Sequence, residues 1–267
     1  LSFYNNKFNV DTLEERLYII IMLTETVTEV NHINSGLFSF KTTRSASFRF
    51  EAGEFTMIGL PGTKLFRAYS MVSGPGEDYL EFLSVIVPDG PLTSKLKDIK
   101  VGDSVTVAPK ATGTLLADIL TPKTNLWMIA TGTGIAPFVS ICRDPATYTR
   151  FNKIFVCHTV RQQEDLAYRD FFMYLTAGTE TPRLQYFPTT TRDSAFPNTG
   201  RITDLIDSGK VFEALQTDPW KPETDSVMIC GGPDFNRQMI DAMKQGGWTV
   251  GSHSAIGNFV YEKAFAA

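Results

Sequence analysis

Cysteine is scarce in this chain of 267 residues: there are 3, Cys142, Cys157 and Cys230. No two of them form a C-x-x-C pair, which argues against a disulfide scaffold, a zinc knuckle or an all-cysteine iron–sulfur centre and predicts reduced thiols. A basic surplus is also missing. Lys plus Arg total 25 against 29 for Asp plus Glu, a formal charge of -4, so a general nucleic-acid or polyanion binder is not expected. The longest apolar run, Leu17 to Leu23, falls far short of the roughly 20 residues a membrane span needs, and no basic segment precedes a signal-like core. These absences predict a cytoplasmic protein whose partner is neither membrane nor nucleic acid. Internal repeats and low-complexity tracts are absent as well.

What the chain does have is core material. Hydrophobic residues make up 43% and charged residues 20%, an ordinary globular balance. At roughly 100–200 residues per domain the length suits two domains. The two halves differ in pattern. From Tyr18 to about Val107 short β-rich runs recur, at Tyr18–Leu23, Ser47–Phe50, Leu80–Val87 and Ser104–Val107. Gly- and Pro-rich turns at Gly59–Gly62 and Ser73–Gly76 separate them, which predicts an antiparallel β-barrel. Beyond a linker at Thr121–Thr124, strands alternate with helical stretches. Strands are expected at Leu126–Ala130, Ile154–Cys157, Leu184–Phe187 and Ser226–Cys230, and helices from about Ile135, over Glu164–Tyr174 and over Asp234–Gln245. Such alternation predicts an α/β domain with a parallel sheet covered on both faces. The expected domains are residues 1–121 and 122–267.

Thr131-Gly132-Thr133-Gly134 falls where the first parallel strand turns into its helix, so glycine backbone and free helix-start amides are offered to a phosphate. Pro137 stands where the usual dinucleotide loop has its third glycine. Arg161, Arg192 and Arg201 all lie in loops after strands of the second half. In a parallel sheet ligands gather outside the carboxyl ends of the strands, and guanidinium forks there suit the 2′-phosphate of NADP better than the bare ribose of NAD. Cys230-Gly231-Gly232-Pro233 ends another strand at the same edge, with its thiol expected to face the crevice.

In the first half, Arg67-Ala68-Tyr69-Ser70 offers a cation, a planar aromatic and a hydroxyl within one strand, with Arg67 and Tyr69 on one face and Ser70 on the other or at the end. Val87-Pro88-Asp89-Gly90-Pro91-Leu92-Thr93-Ser94 leads from a strand into a short helix for which Thr93 and Ser94 are candidate caps. Each segment alone also suits an ordinary strand or turn.

In this order, and over essentially the whole chain, these motifs resemble the ferredoxin–NADP reductase family. The ending from Phe259 to Ala267 is similar to that of the family's bacterial members, which continue past the residue covering the flavin. The resemblance implies an enzyme that passes hydride between nicotinamide C4 and flavin N5, with FAD and NADP(H) as cofactors and ferredoxin or flavodoxin as the carrier. By this resemblance Arg67, Thr93 and Ser94 hold the FAD pyrophosphate, Tyr69 stacks on one flavin face, and Ser70 bonds near N5. Ala264 lies on the opposite face and Phe265 near the adenine. Arg161, Arg192 and Arg201 take the NADP 2′-phosphate, and Cys230 stands beside the nicotinamide. Ser70, Tyr69, Cys230 and Ala264 form the catalytic set. Val85, Val87, Leu92, Thr133, Gly134 and Gly231 complete the cofactor-binding set, and no role is assigned to Glu262. The segment from Ala264 onward is expected to shift to admit the nicotinamide. We expect a monomer that meets an acidic carrier through a local basic face drawn from Lys64, Lys95, Lys97 and Lys110. Other readings keep the flavin and change the rest: a reductase serving an oxygenase or free flavin, or a non-catalytic redox sensor.

Overall fold

A strand buried on one face alternates, and Ser104–Val107 does so, with Val105 and Val107 buried and Ser104 and Thr106 only partly so. In the computed structural model, which describes residues 22–177 and 183–263, this segment is one strand (β6) of a six-stranded antiparallel sheet. The others are β1 (Leu23–Asn34), β2 (Leu37–Thr43), β3 (Phe55–Gly59), β4 (Phe66–Ser70) and β5 (Tyr79–Val85). Their order across the sheet is β4-β3-β6-β1-β2-β5. Just past β4, Met71 bridges to Phe82 of β5, and the Val72 amide donates to the Glu81 carbonyl at 2.8 Å. The two ends of the sheet therefore meet, and closure into a barrel leaves fewer unpaired edges. Phe38, Phe40, Ile58, Met71 and Phe82 fill its interior. A short helix, α1 (Thr93–Leu96), plugs one side through the buried Leu96.

Two expectations for this half need correction. Ser47–Phe50 is not a strand. Phe48 and Phe50 are buried, but the Phe48 amide closes a turn onto the Ser45 carbonyl at 2.9 Å, and Arg44 Nη2 takes the Phe48 carbonyl at 3.1 Å. The groups a ladder would need are already used. Of the run Tyr18–Leu23, Leu23 opens β1, and residues 18–21 lie outside the described residues.

The second half has five strands, of which the inner ones are buried on both faces and read as continuous apolar runs. The five are β7 (Asn125–Thr131), β8 (Lys153–Val160), β9 (Leu184–Thr190), β10 (Asp225–Gly231) and β11 (Phe259–Lys263), in the spatial order β11-β10-β7-β8-β9, all parallel. Alternate residues of β7 feed two cores. Leu126, Met128 and Ala130 pack with Phe138 of α2 (Ala136–Arg143), while Trp127 and Ile129 pack with Phe212 and Trp248. Trp127 stacks on Phe155 at 4.1 Å between ring centroids, and its indole N–H donates to Asp225 at 2.9 Å. The helices that follow are α3 (Pro145–Arg150), α4 (Arg169–Thr176), α5 (Ile202–Asp207), α6 (Lys210–Ala214) and α7 (Pro233–Gln245).

Strand order reverses between β7 and β10, which opens a crevice at their carboxyl ends. The expected helix at Ile135 is preceded by a tight 3₁₀ turn over Gly132–Ile135. The expected helix over Glu164–Tyr174 is broken. A 3₁₀ turn at Gln163–Asp165 is closed by reciprocal bonds between Gln162 and Asp165, and α4 starts only after Tyr168, whose φ is +59°. No helix among the described residues is long and apolar enough to cross a membrane.

Candidate active site

The edge of the barrel and the crevice of the parallel sheet face each other across a cavity of about 670 Å³. Arg67, Ala68, Tyr69 and Ser70 all line it. Ser70 is the last residue of β4, so Arg67 and Tyr69 line the cavity from within the strand and Ser70 from its end. The Tyr69 hydroxyl shares a hydrogen bond with the Ser84 hydroxyl at 3.0 Å, and its ring meets Phe82 edge-on at 6.3 Å. Burial pushes the phenol above its ordinary pKa, so it stays neutral. Arg67 Nη1 donates to the Phe66 carbonyl at 2.9 Å, which holds the guanidinium on the cavity wall.

Leu83, Val85, Val87 and Leu92 supply apolar walls. Thr93 reaches the same cavity but does not cap the short helix as expected; Leu92 is the capping position. The Thr93 hydroxyl instead bonds back to the Val87 backbone, accepting at 3.3 Å and donating at 3.4 Å, which ties the turn shut. A side chain at Gly90 would meet that hydroxyl at 2.4 Å. Ser94 is not on the wall, and its amide donates to the Gly90 carbonyl at 3.0 Å.

From the second domain come Thr133 and Ala136 of the turn into α2, Cys230 of β10, and Tyr261, Glu262 and Lys263 of β11. Cys230 is 1% exposed, and burial together with the neighbouring Glu262 pushes its pKa up, so it presents a neutral thiol rather than a thiolate nucleophile. Glu262 pairs with Cys230 in the strand register. It accepts the Thr114 backbone N–H and, at 3.3 Å, the Thr114 hydroxyl. Burial nevertheless pushes its carboxyl up to about 7. Ala264 and Phe265 lie outside the described residues.

A second cavity, of about 860 Å³, opens at the carboxyl ends of β7, β8 and β10. Gly132, Thr133, Thr159, Arg161, Arg201 and Gly232 line it, with Gly36, Leu37 and Val85 from the barrel. Arg192 is off this wall, and its amide donates to the Arg161 carbonyl at 2.9 Å, pairing the two post-strand loops. Thr159 Oγ1 is buried in the wall with no hydrogen-bond partner, an open valence for a polar ligand.

The turn into α2 is packed closely against the end of β10: a Cβ at Gly134 would lie 2.2 Å from the Cys230 carbonyl oxygen, and one at Gly231, in β10, would lie 2.2 Å from Thr131 Oγ1. His158 fixes the same turn from beneath. Its buried Nε2–H donates to the Gly132 carbonyl at 2.9 Å, Nδ1 lies 3.3 Å from the Tyr186 hydroxyl, and burial pushes the imidazole down to about 4.

The two cavities share Val85 and Thr133. One has an arginine, a fixed aromatic ring and apolar walls, which suits a flat ring with a phosphate arm. The other has two arginines, glycine backbone and an orphan hydroxyl, which suits a phosphorylated nucleotide. Sequence reasoning did not find His158, Thr159, Phe55, Tyr261 or Lys263, and gave Glu262 no role. Only Glu262 left a signal, as the one acid of β11.

Residues 22–113 match the family described as oxidoreductase FAD-binding domain, and residues 128–245 match the oxidoreductase NAD-binding domain. The chain is 44% identical over 250 residues to the ferredoxin–NADP reductase of Azotobacter vinelandii, covering 90% of this chain and 96% of that protein. It is 45% identical over 252 residues to the flavodoxin/ferredoxin–NADP reductase of Rhodobacter capsulatus, covering 90% and 92% respectively. Among solved structures, a ferredoxin NADP+ reductase from Neisseria gonorrhoeae with bound FAD and NADP superimposes with a TM-score of 0.85 at 30% identity, covering 92% of this chain and 99% of that one.

Proposed function

This chain belongs to the ferredoxin–NADP reductase family, and from that premise we propose how its residues share out the family's chemistry. It is an FAD-dependent oxidoreductase that moves electrons between NADPH and a carrier protein, ferredoxin or flavodoxin. The observation that supports the division of labour is the seam at Val85 and Thr133, which line both the cavity of Arg67 and Tyr69 and the cavity of Arg161 and Arg201.

In the first cavity Arg67 holds the FAD pyrophosphate, together with Thr93 and Ser94. Tyr69, fixed by Ser84, lies against the ring, Ser70 bonds near its N5, and Val85, Val87 and Leu92 exclude water from it. Ala264 and Phe265 are assigned to the far flavin face and the adenine. In the second cavity the backbone at Thr133, Gly134 and Gly231 lets the nicotinamide nucleotide approach closely. Arg161 and Arg201 take the 2′-phosphate, with Arg192 supporting Arg161 through their paired backbones. The bound flavin supplies the redox chemistry, accepting two electrons as hydride and releasing them singly. The protein's part is alignment, since holding reacting groups in line supplies much of the rate of such a transfer. Cys230 contributes a neutral, soft surface at the end of β10 against which the nicotinamide can seat.

We assign the protein to the cytoplasm as a monomer, with the division between its domains after residue 121. Its carrier docks on a face that includes Lys64, Lys95, Lys97 and Lys110. Anaerobic mixing with NADPH tests the reading directly. Bleaching of the yellow flavin by NADPH, much faster than by NADH, is expected, followed by reoxidation by ferredoxin or flavodoxin at a rate that falls as salt rises. Persistent colour would replace the enzyme with a redox sensor. Turnover with free flavin or an oxygenase but with neither carrier would move the acceptor.

A further inference from the structure

A second junction between the barrel and the parallel-sheet domain lies apart from both cavities and is made by charge. Glu81, on β5, has a side chain only 5% exposed. Its carboxylate accepts two bonds from the other domain, from Arg143 Nη1 at 2.6 Å and from the Tyr168 hydroxyl at 2.9 Å. Arg143 also donates to the Val72 carbonyl at 3.2 Å, and its guanidinium lies over the Phe171 ring at 5.5 Å. One turn back on the same helix, the Ser140 hydroxyl donates to the Ser73 carbonyl at 2.7 Å.

A buried ion pair is a poor source of net stability, because desolvation consumes most of the attraction, but it tolerates only one arrangement of its partners. Tyr168 is held in a left-handed conformation, φ +59°, that a tyrosine rarely adopts, and from there its hydroxyl reaches Glu81. The elements joined here both run on into the cavities. β5 carries Glu81 near its start and Val85, at the seam, at its end. α2 ends at Arg143, and its entry, Thr133 to Ala136, borders the first cavity. A shift of one domain on the other would therefore open the seam at Val85 and Thr133.

We infer that Glu81, bonded to Arg143 and Tyr168, is a positioning clamp that fixes the nucleotide-binding domain on the barrel and thereby sets the approach of nicotinamide to flavin. This rests on the function proposed above. Neither Arg143, Tyr168 nor Glu81 lines either cavity, so none of the three touches a reactant in this assignment.

The test compares holoprotein of Glu81→Gln and Tyr168→Phe with the unaltered chain, the second variant keeping the ion pair in case the first does not fold. FAD content and the Kd for NADP should stay within about twofold, while the rate of flavin bleaching by NADPH falls about tenfold in Glu81→Gln and less in Tyr168→Phe. The long-wavelength absorbance of the stacked nicotinamide–flavin pair should weaken in the same order, and amide hydrogen exchange over residues 136–143 should quicken. Bleaching rates and absorbance equal to those of the unaltered chain in every folded variant would overturn the clamp, whatever happens to Tm. If NADPH fails to bleach the unaltered chain, the functional reading is what fails. Hydrogen exchange then decides the clamp alone: unchanged protection over residues 136–143 rejects it.

Discussion

Burial keeps the Glu262 carboxyl protonated up to about pH 7, although the Thr114 amide and hydroxyl both bond to it. In the unfolded chain the same group releases its proton near its ordinary value of 4.5. Between those values the folded state holds more protons than the unfolded one, so this residue makes stability fall as pH rises, by about 3 kcal/mol over the window. Glu262→Gln keeps an acceptor for Thr114 and removes the titration. The substitution should raise Tm more at pH 8 than at pH 5, and thermal melts at the two pH values check it; an equal gain at both would refute the assignment. His158 acts with the opposite sign. Its imidazole, held neutral down to about 4, contributes stability that is complete above its ordinary 6.5 and is lost as pH falls through the folded value. His158→Gln can still donate to the Gly132 carbonyl, and it should flatten the acid limb of the stability curve without moving the alkaline one. The two windows overlap and partly offset in the unaltered protein, so only the single variants resolve them.

At the scale of the element, the turn from β7 into α2 is set by contact with β10. A methyl group at Gly134 must displace the Cys230 backbone, 2.2 Å away, whereas one at Gly132 meets nothing and strains only a backbone held at φ +55°. Gly134→Ala should therefore cost about 2–4 kcal/mol in urea unfolding, against about 1–2 kcal/mol for Gly132→Ala. Similar costs would mean that the turn relaxes away from β10. This turn was legible in the sequence because close approach leaves glycine as the only residue that fits, and residue type carries that constraint directly. The inner parallel strands were legible for a similar reason, since burial on both faces writes a continuous apolar run. The segments misread are those held by side-chain bonds that the residue pattern alone does not show. Ser47–Phe50 has the alternation of a strand, but the Phe48 amide is taken by the Ser45 carbonyl and the Phe48 carbonyl by Arg44, which also binds the carbonyls of Pro75 and Glu77. The helix expected over Glu164–Tyr174 breaks at Tyr168, whose hydroxyl is bonded to Glu81 in the other domain. In the site, Arg67, Tyr69, Ser70, Thr133 and Cys230 could be read as one group because the motifs that carry them follow the order of the family the chain resembles. Glu262 could not be given a role, because what matters about it is the loop around Thr114 folded over its carboxylate.

Across the whole molecule a formal charge of -4 works against an anionic nucleotide, so the attraction must be local. In the function proposed, Arg161 and Arg201 provide it; both line the second cavity, from two different loops that the parallel sheet brings together. Arg192, off the wall, should contribute less. A charge-assisted hydrogen bond of the kind proposed to the 2′-phosphate is worth about 1.5–3 kcal/mol, or roughly tenfold to a hundredfold in affinity for each arginine. Replacing Arg161 and Arg201 together by alanine should therefore raise the KM for NADPH at least a hundredfold or so, while the KM for NADH, which lacks that phosphate, changes little. Because the lost contacts are made equally before and during hydride transfer, kcat should be nearly unchanged and FAD content fully so. Salt separates this effect from a general loss of structure. The KM for NADPH of the unaltered protein should climb steeply between low and high ionic strength, and that of the double variant should be almost flat. Steady-state kinetics with both nucleotides at two salt concentrations measure all of these quantities. An equal rise in KM for NADH and NADPH would mean that the arginines shape the crevice rather than recognise the phosphate, and nucleotide preference would then have to come from elsewhere in the second cavity.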